Sequence, residues 1–275
     1  MKTFTADAAC SLKEFTDFNF PQGAFCFSRL LKARDIKVNG ARIGKNVAIA
    51  AGDIITYYTT PAQEAKQSHF TVYEDANIYV ADKFSGVTSE GLFAELRGRG
   101  EFYAVHRLDR NTEGLIVFAK TKSAEGLLLA AFKQRQVQKT YLALCKNNFK
   151  TDGALLTAYL VKDEKTSSVK IYDCPVNGAV KIITEFTVTE RRGDIALVKI
   201  NLHTGKTHQI RAHAAHIGCP VLGDEKYGDG ALNKKYKCAR QRLVSKQIVF
   251  NLQGGLEYLN GKVFESRFTP KTEDL

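Results

Sequence analysis

An α+β fold is what this 275-residue sequence predicts, and three observations carry the prediction. Short apolar or alternating segments follow one another closely, separated by turn-forming residues such as Asn39-Gly40 and Asp75-Ala76-Asn77, the usual layout of antiparallel strands. One run, LIVFA at 115–119, is continuously apolar and rich in β-branched and aromatic residues, as suits a strand buried on both faces. Helical patterns are few: 29–32, 89–97, 123–132 and 207–216. Strands in the majority, with a few helices among them, place the chain in the α+β class.

In chain order, residues 1–12 show no pattern. Residues 13–60 form a compact basic unit: a helical start at 29–32, a strand Ile36-Lys37-Val38 running into the Asn39-Gly40 turn, and a Gly52-Asp53 turn before a strand at 54–58. TTPAQEAKQS at 59–68 is polar, contains Pro61 and lacks periodicity, so a linker is expected over 61–69. A second unit then fills 70–275. It opens with strands at Val72 and 78–80, a turn at Ser85-Gly86 and a helix over 89–97. A dense polar cluster at 106–112 precedes the buried strand, and Gly114 divides them. Ser123 is the expected N-cap of the next helix. Strands are expected at 140–144, 182–188, 195–202 and 248–250, with hairpin-like segments around DEKTSSVK at 163–170. Residues 233–247 carry six Lys or Arg and no acid, which suits either a solvated loop or a phosphate track. The tail at 271–275 is expected to fray.

Composition narrows the partner. Forty Lys and Arg against 29 Asp and Glu give a formal charge of +11, a surface made for a polyanion. The six cysteines are scattered, with no CxxC or CxxH pair, which argues against structural zinc and a disulfide scaffold and for a reducing cytoplasm. No apolar run approaches the ~20 residues that span a bilayer, and no signal peptide is apparent. Four histidines fall within 14 residues at 203–216, but their spacing and the lack of an acid inside the helix disfavour a metal site. GRG at 98–100 lacks the rest of a nucleotide-binding glycine loop. No metal, organic cofactor or membrane is therefore expected, and the chain is expected to act as a monomer.

The polar cluster is the densest chemistry in the sequence. Asp109 stands between Arg107 and Arg110, beside His106, Asn111 and Thr112. A carboxylate next to guanidinium groups stays ionised, which suits a nucleophile or an electrostatic stabiliser. A turn of ionisable groups seated on a rigid buried strand is a common way to present catalytic side chains. An Asp–Arg pair closing a surface turn fits the same residues, and spacing alone does not separate the two.

HRLDRNTEGLIVFAK at 106–120 resembles the catalytic motif of the RluA-type pseudouridine synthases, usually HRLDRDTSGLLLLAK, with Asn111 and Glu113 as departures. KTY at 139–141 resembles that family's K/R-x-Y motif. TGKTHQIRAHAAHIGCPVLGDEKYG at 204–228 resembles its TGRTHQIRxH…IGxPIxGDxxYG motif, with Lys206 for the usual Arg. DKFSG at 82–86 stands where the family reads DKPxG, Phe84 replacing Pro. The 13–60 unit is similar to S4 RNA-binding domains, with Arg29, Lys32, Arg34, Lys37 and Asn39 where that family meets RNA.

The resemblance implies a mixed, largely antiparallel central sheet and an RNA substrate, rRNA or tRNA, with the S4-like unit tilting towards rRNA. It implies a mechanism too. Arg107 would occupy the space vacated as a uridine flips out, with His106 and Arg110 among the residues meeting the RNA. Asp109 would start N-glycosidic cleavage, by attack at C1′ or by removing a ribose proton. Tyr141 would lie against the base and could assist proton removal at C5; Arg211 would pair with Asp109 and aim it. Ile210 and Leu115 would form the apolar wall. A non-catalytic RNA-binding or ribosome-assembly protein, or a nucleosidase releasing uracil, would share much of this sequence.

Overall fold

The computed structural model describes residues 1–19, 27–60, 67–163 and 168–274. Most of the expected linker, residues 61–66, and the centre of the 163–170 loop lie outside the described residues.

The first unit comprises β1 (Lys2–Thr5), β2 (Cys10–Ser11), α1 (Leu12–Asn19), α2 (Phe27–Ala33), β3 (Ile36–Val38), β4 (Ala41–Arg42), β5 (Ala48–Ile49) and β6 (Ile54–Tyr57). Four strands form an antiparallel sheet in the order β1-β6-β3-β4. Leu12 and Leu30 of the helices pack on Ile36, Ile55 and Tyr57, giving the unit its own small core. Asn39 and Gly40 both take left-handed backbone, φ 49° and 81°, as a two-residue hairpin turn demands. The patternless N-terminus supplies β1, paired with β6.

The second unit holds β7 (His69–Glu74), β8 (Ile78–Lys83), α3 (Ser89–Arg97), β9 (Tyr103–Ala104), β10 (Glu113–Ala119), α4 (Lys122–Lys133), β11 (Val137–Lys146), β12 (Gly153–Asp163), β13 (Ser168–Tyr172), β14 (Val180–Arg192) and β15 (Ile195–Leu202). It continues through α5 (Gln209–His216), α6 (Gly230–Lys235), β16 (Leu243–Phe250) and β17 (Val263–Glu265). Its sheet of 11 described strands runs β13-β12-β14-β15-β11-β16-β10-β8-β7, with β17 beside β16 and β9 beside β10. Among the named strands only β10 and β16 pair in parallel. The mixed, mainly antiparallel sheet expected from the sequence is present.

The central strand β10 is buried on both faces because each face has its own cover. Ile116 and Phe118 meet Leu92 and Leu96 of α3 together with Ile200 and Ile210. Leu115 and Val117 turn the other way, towards Val80 and Ala124 and Leu128 of α4. Gly114 lets β10 approach β16: its φ is 105°, and a Cβ there would lie 2.3 Å from the Ser245 carbonyl oxygen.

Four local expectations need correction. Thr121, not Ser123, caps α4: its backbone is extended and its hydroxyl accepts the Ala124 N–H at 3.1 Å. The helix expected from Thr207 begins at Gln209, because His208 adopts left-handed backbone with φ 53°. The basic stretch at 233–247 is not one loop: it starts in α6 and ends in β16, between β11 and β10. The tail is anchored, since the Arg192 guanidinium donates to the Thr272 carbonyl at 3.0 Å and the Thr272 hydroxyl bonds Glu190.

Candidate active site

The turn bearing Asp109 is clasped from outside. Within it, the Thr112 N–H donates to the Asp109 carbonyl at 3.1 Å. The connection between β8 and α3 does the rest. The Ser89 hydroxyl bonds both the N–H and the C=O of Leu108, each at 2.9 Å. The Gly86 N–H reaches the Arg110 carbonyl at 2.9 Å, and the Ser85 hydroxyl reaches the Asn111 carbonyl at 3.1 Å. Lys83, fully buried, donates to the carbonyls of Phe84, Val87 and Arg110 at 3.2, 2.8 and 3.2 Å. Burial pulls its pKa down to about 7. Three carbonyl dipoles around the ammonium favour its charged form all the same. Phe84 is suited to its place where a proline would not be. Its N–H donates to the Ser68 carbonyl at 2.9 Å, and its ring packs edge-on against Phe70.

Arg211 stands on α5, across the cleft from this turn. The start of α5 is fixed by Gln209, whose side chain satisfies all its valences inside the protein. Its oxygen accepts the Thr204 hydroxyl at 2.9 Å and the Lys206 N–H at 3.1 Å; its NH₂ donates to the Ile183 carbonyl and the Thr184 hydroxyl. Arg211 then bridges two carboxylates. Nε and Nη2 grip Asp224 in a fork at 2.6 and 3.0 Å, and Nη1 donates to Asp109 Oδ2 at 2.9 Å. The Arg211 and Asp224 side chains are 11% and 0% exposed, so these charges are shielded from solvent.

Burial opposes charge on both partners. The Asp224 and Asp109 carboxylates nonetheless push Arg211 above the ordinary arginine value, and Arg211 holds Asp224 below the usual carboxylate range. The Lys226 and Tyr227 N–H groups also donate to Asp224, at 2.8 and 3.0 Å. Tyr227 lies under the guanidinium, 5.3 Å from ring centre to Cζ, and its hydroxyl meets His208 Nδ1 at 3.0 Å. His208 Nε2 is 3.9 Å from Asp109 Oδ2.

Asp109, Arg211, Tyr141, Ile210, Arg107 and His106 all line one cleft of about 650 Å³, within the range of roughly 300–1,000 Å³ typical of small-molecule sites. Tyr141 is 6% exposed on β11; burial, and then the Asp109 charge, push its phenol up to about 12. The arrangement can present a carboxylate, held at a fixed angle by a guanidinium, beside a neutral aromatic ring.

Other expected residues stand elsewhere or are otherwise engaged. Arg107 points to the cleft mouth and pairs with Glu90 at 3.1 Å, and Arg110 is exposed outside the lining. Asp109 therefore takes its arginine from α5 rather than from its neighbours, whose side chains diverge along the turn. His106 is turned inward: Nε2 accepts the Val117 N–H at 2.8 Å and the ring stacks on Phe132. Burial and the Lys139 charge lower it to about 3, so it is neutral and carries no charge for RNA. Leu115 is not part of the wall, because alternation along β10 sends it to the opposite face; Leu108, Leu202 and Leu243 line the cleft with Ile210. Among the basic-unit residues, Arg29, Lys32 and Arg34 are exposed and Lys37 lies over the Tyr58 ring at 5.3 Å. Asn39 is occupied by its own turn, donating to Asp53 and accepting from the Ile54 N–H.

Asp224, Tyr227 and Lys83 were not singled out from the sequence, and His208 figured only among the histidines weighed as metal ligands. The first two lie in GDEKYG at 223–228, but nothing in that spacing says the carboxylate folds back under Arg211. Among the described residues, no group of three His, Cys, Asp or Glu gathers as metal ligands, and no helix is long and apolar enough to cross a membrane.

Comparison with known proteins places this cleft in context. The family model for RNA pseudouridylate synthase matches residues 78–216, which hold Asp109, Tyr141 and Arg211. Ribosomal large subunit pseudouridine synthase C of Vibrio cholerae is 30% identical over 227 residues, covering 73% of this chain and 71% of the relative. The protein of the same name from Escherichia coli is 32% identical over 232 residues, covering 75% and 72%. Among solved structures, human RNA Pseudouridylate Synthase Domain Containing 1 superposes with a TM-score of 0.59 at 24% identity, over 74% of this chain and 91% of that one, a likeness of fold. With the family match spanning half the chain around the Asp109–Arg211 pair, this protein belongs to the RNA pseudouridylate synthases, isomerases that act on RNA.

Proposed function

We propose that the chain isomerises specific uridines of large-subunit rRNA, with Asp109 initiating cleavage of the N-glycosidic bond. The observation that carries this reading is the Arg211 bridge, which leaves one carboxylate buried and structural and turns the other into the cleft. The names of the bacterial relatives favour rRNA over tRNA.

The target base must leave its stack at a cost of a few kcal/mol. Arg107, two-thirds exposed at the cleft mouth, fills the space it vacates after exchanging Glu90 for RNA. Asp109 then acts at C1′ or on a ribose proton, and Arg211 keeps the carboxylate aimed throughout. The freed uracil turns against Tyr141 and rejoins through C5. Because burial keeps the phenol protonated, Tyr141 supplies a ring and a hydroxyl. It accepts the C5 proton only if its own is lost in the same step. Ile210, Leu108 and Leu243 keep water from the cleaved base.

The 13–60 unit acts as an S4-like RNA-binding module whose exposed Arg29, Lys32 and Arg34 position phosphates. The enzyme works as a monomer in the cytoplasm, where unpaired cysteines persist. The test is product analysis of an unmodified large-subunit rRNA transcript after incubation with the protein. The reading requires pseudouridine in the RNA. Free uracil would make the chain a nucleosidase, and an unchanged transcript that is still bound would leave only an RNA binder.

A further inference from the structure

Lys139 lines the cleft and takes no part in its pairing network. Lys139 precedes Tyr141 by two residues on β11, so both side chains leave the same face of the strand, about 7 Å apart along it. Both line the cleft. The Lys139 ammonium is half-buried, 5.8 Å from the centre of the Phe132 ring, and among the described residues it has no carboxylate partner and no hydrogen-bond acceptor. Its pKa is lowered by burial, with no counter-charge to offset the lost water.

Gly205 is a second, independent observation. Its φ is not positive, so the backbone does not demand glycine there. A Cβ at that position would come 3.2 Å from Lys139 Nζ. The residue keeps open the space into which the ammonium projects.

A half-buried ammonium without a counter-ion is costly unless a ligand brings one. The anion that RNA offers at every nucleotide is the phosphodiester. With uracil against Tyr141, a cation one pleat further along the same strand face stands at the reach from base to backbone. We propose that Lys139 is the phosphate ligand of the cleft and takes the phosphodiester adjoining the flipped uridine; this rests on the reading of Tyr141 given above. His106 lies beside it as a neutral ring, and the other cleft-lining cations unpaired among the described residues, Lys133, Arg135 and Lys206, are exposed to solvent rather than half-buried.

The test is the salt dependence of binding to an unmodified large-subunit rRNA fragment, measured for the wild-type protein, Lys139→Gln and Lys139→Arg. One phosphate contact to an unstacked nucleotide contributes about 0.7 to the slope of log affinity against log salt. The slope should fall by about 0.7 in Lys139→Gln and return in Lys139→Arg. kcat/KM should fall about tenfold or more in the first variant and stay within about threefold in the second. An unchanged slope in Lys139→Gln would overturn the assignment, even if turnover were lost, because the ammonium would then be meeting a neutral group. Lys139→Met, which keeps the aliphatic stem, replaces the Gln variant should that one melt early. Absence of pseudouridine with the wild-type protein would sink the proposed reaction, while the slope would still decide the role of Lys139.

Discussion

The cleft and the N-terminal basic unit both carry positive charge, and they hold it in opposite ways. Arg211 is nearly buried, and each of its three nitrogens has a carboxylate oxygen at 3.0 Å or less. Arg29, Lys32 and Arg34 stand exposed on a small unit with its own core. A buried, fully engaged guanidinium fixes geometry, since moving it would strand two charges away from water. Exposed cations fix nothing, but each can trade a counter-ion for a phosphate. The cleft should therefore govern turnover and the basic unit affinity.

The largest expected effect short of losing Asp109 itself comes from Asp224→Asn, which never touches substrate. It removes the charge that holds Arg211 in its fork. We expect kcat to fall about a hundredfold and stability to fall by about 3 kcal/mol, the order seen when one partner of a buried pair is removed. Steady-state kinetics and thermal melting check this; wild-type kcat would mean that Arg211 needs no second carboxylate.

A smaller effect is expected from Arg29→Ala, Lys32→Ala and Arg34→Ala combined. RNA affinity should drop about tenfold at low salt and much less at high salt, with kcat at saturating RNA unchanged. A fall in kcat without loss of affinity would break the division of labour between the two regions.

How much of this could be read in advance differs between the same two regions. In the basic unit, the Asn39-Gly40 turn and the short strands were legible because local backbone rules decide them. In the cleft, Asp109, Tyr141 and Arg211 and the pairing of Arg211 with Asp109 were legible through motifs, but Asp224 behind them was not. The Arg107–Asp109–Arg110 spacing suggested that neighbours charge the carboxylate, whereas the arginine comes from α5, 102 residues further along. Leu115 looked like wall because apolarity is visible in sequence and facing is not. His106 looked like an RNA contact because its type suits one, yet a tertiary contact with Val117 spends its ring nitrogen. Contacts between distant segments leave no local periodicity to read.

The smallest effect concerns His106 and pH. Its native pKa, about 3, lies below that of an unfolded histidine, near 6.5. The unfolded state thus binds more protons between those values. The contribution is complete above pH 6.5 and is lost progressively as pH falls towards 3. The melting temperature should accordingly decline on acidification from 6.5 to 4, and less steeply in His106→Gln. Parallel curves for the two proteins would mean that the imidazole is not held neutral.

The most direct measurement of the account is Asp109→Asn, assayed for pseudouridine and for RNA binding in the same samples. The substitution keeps the shape and removes the charge that Arg211 holds in the cleft. Pseudouridine should fall below detection, at least about a thousandfold down, while affinity stays within about tenfold. Substantial residual turnover would remove Asp109 as initiator.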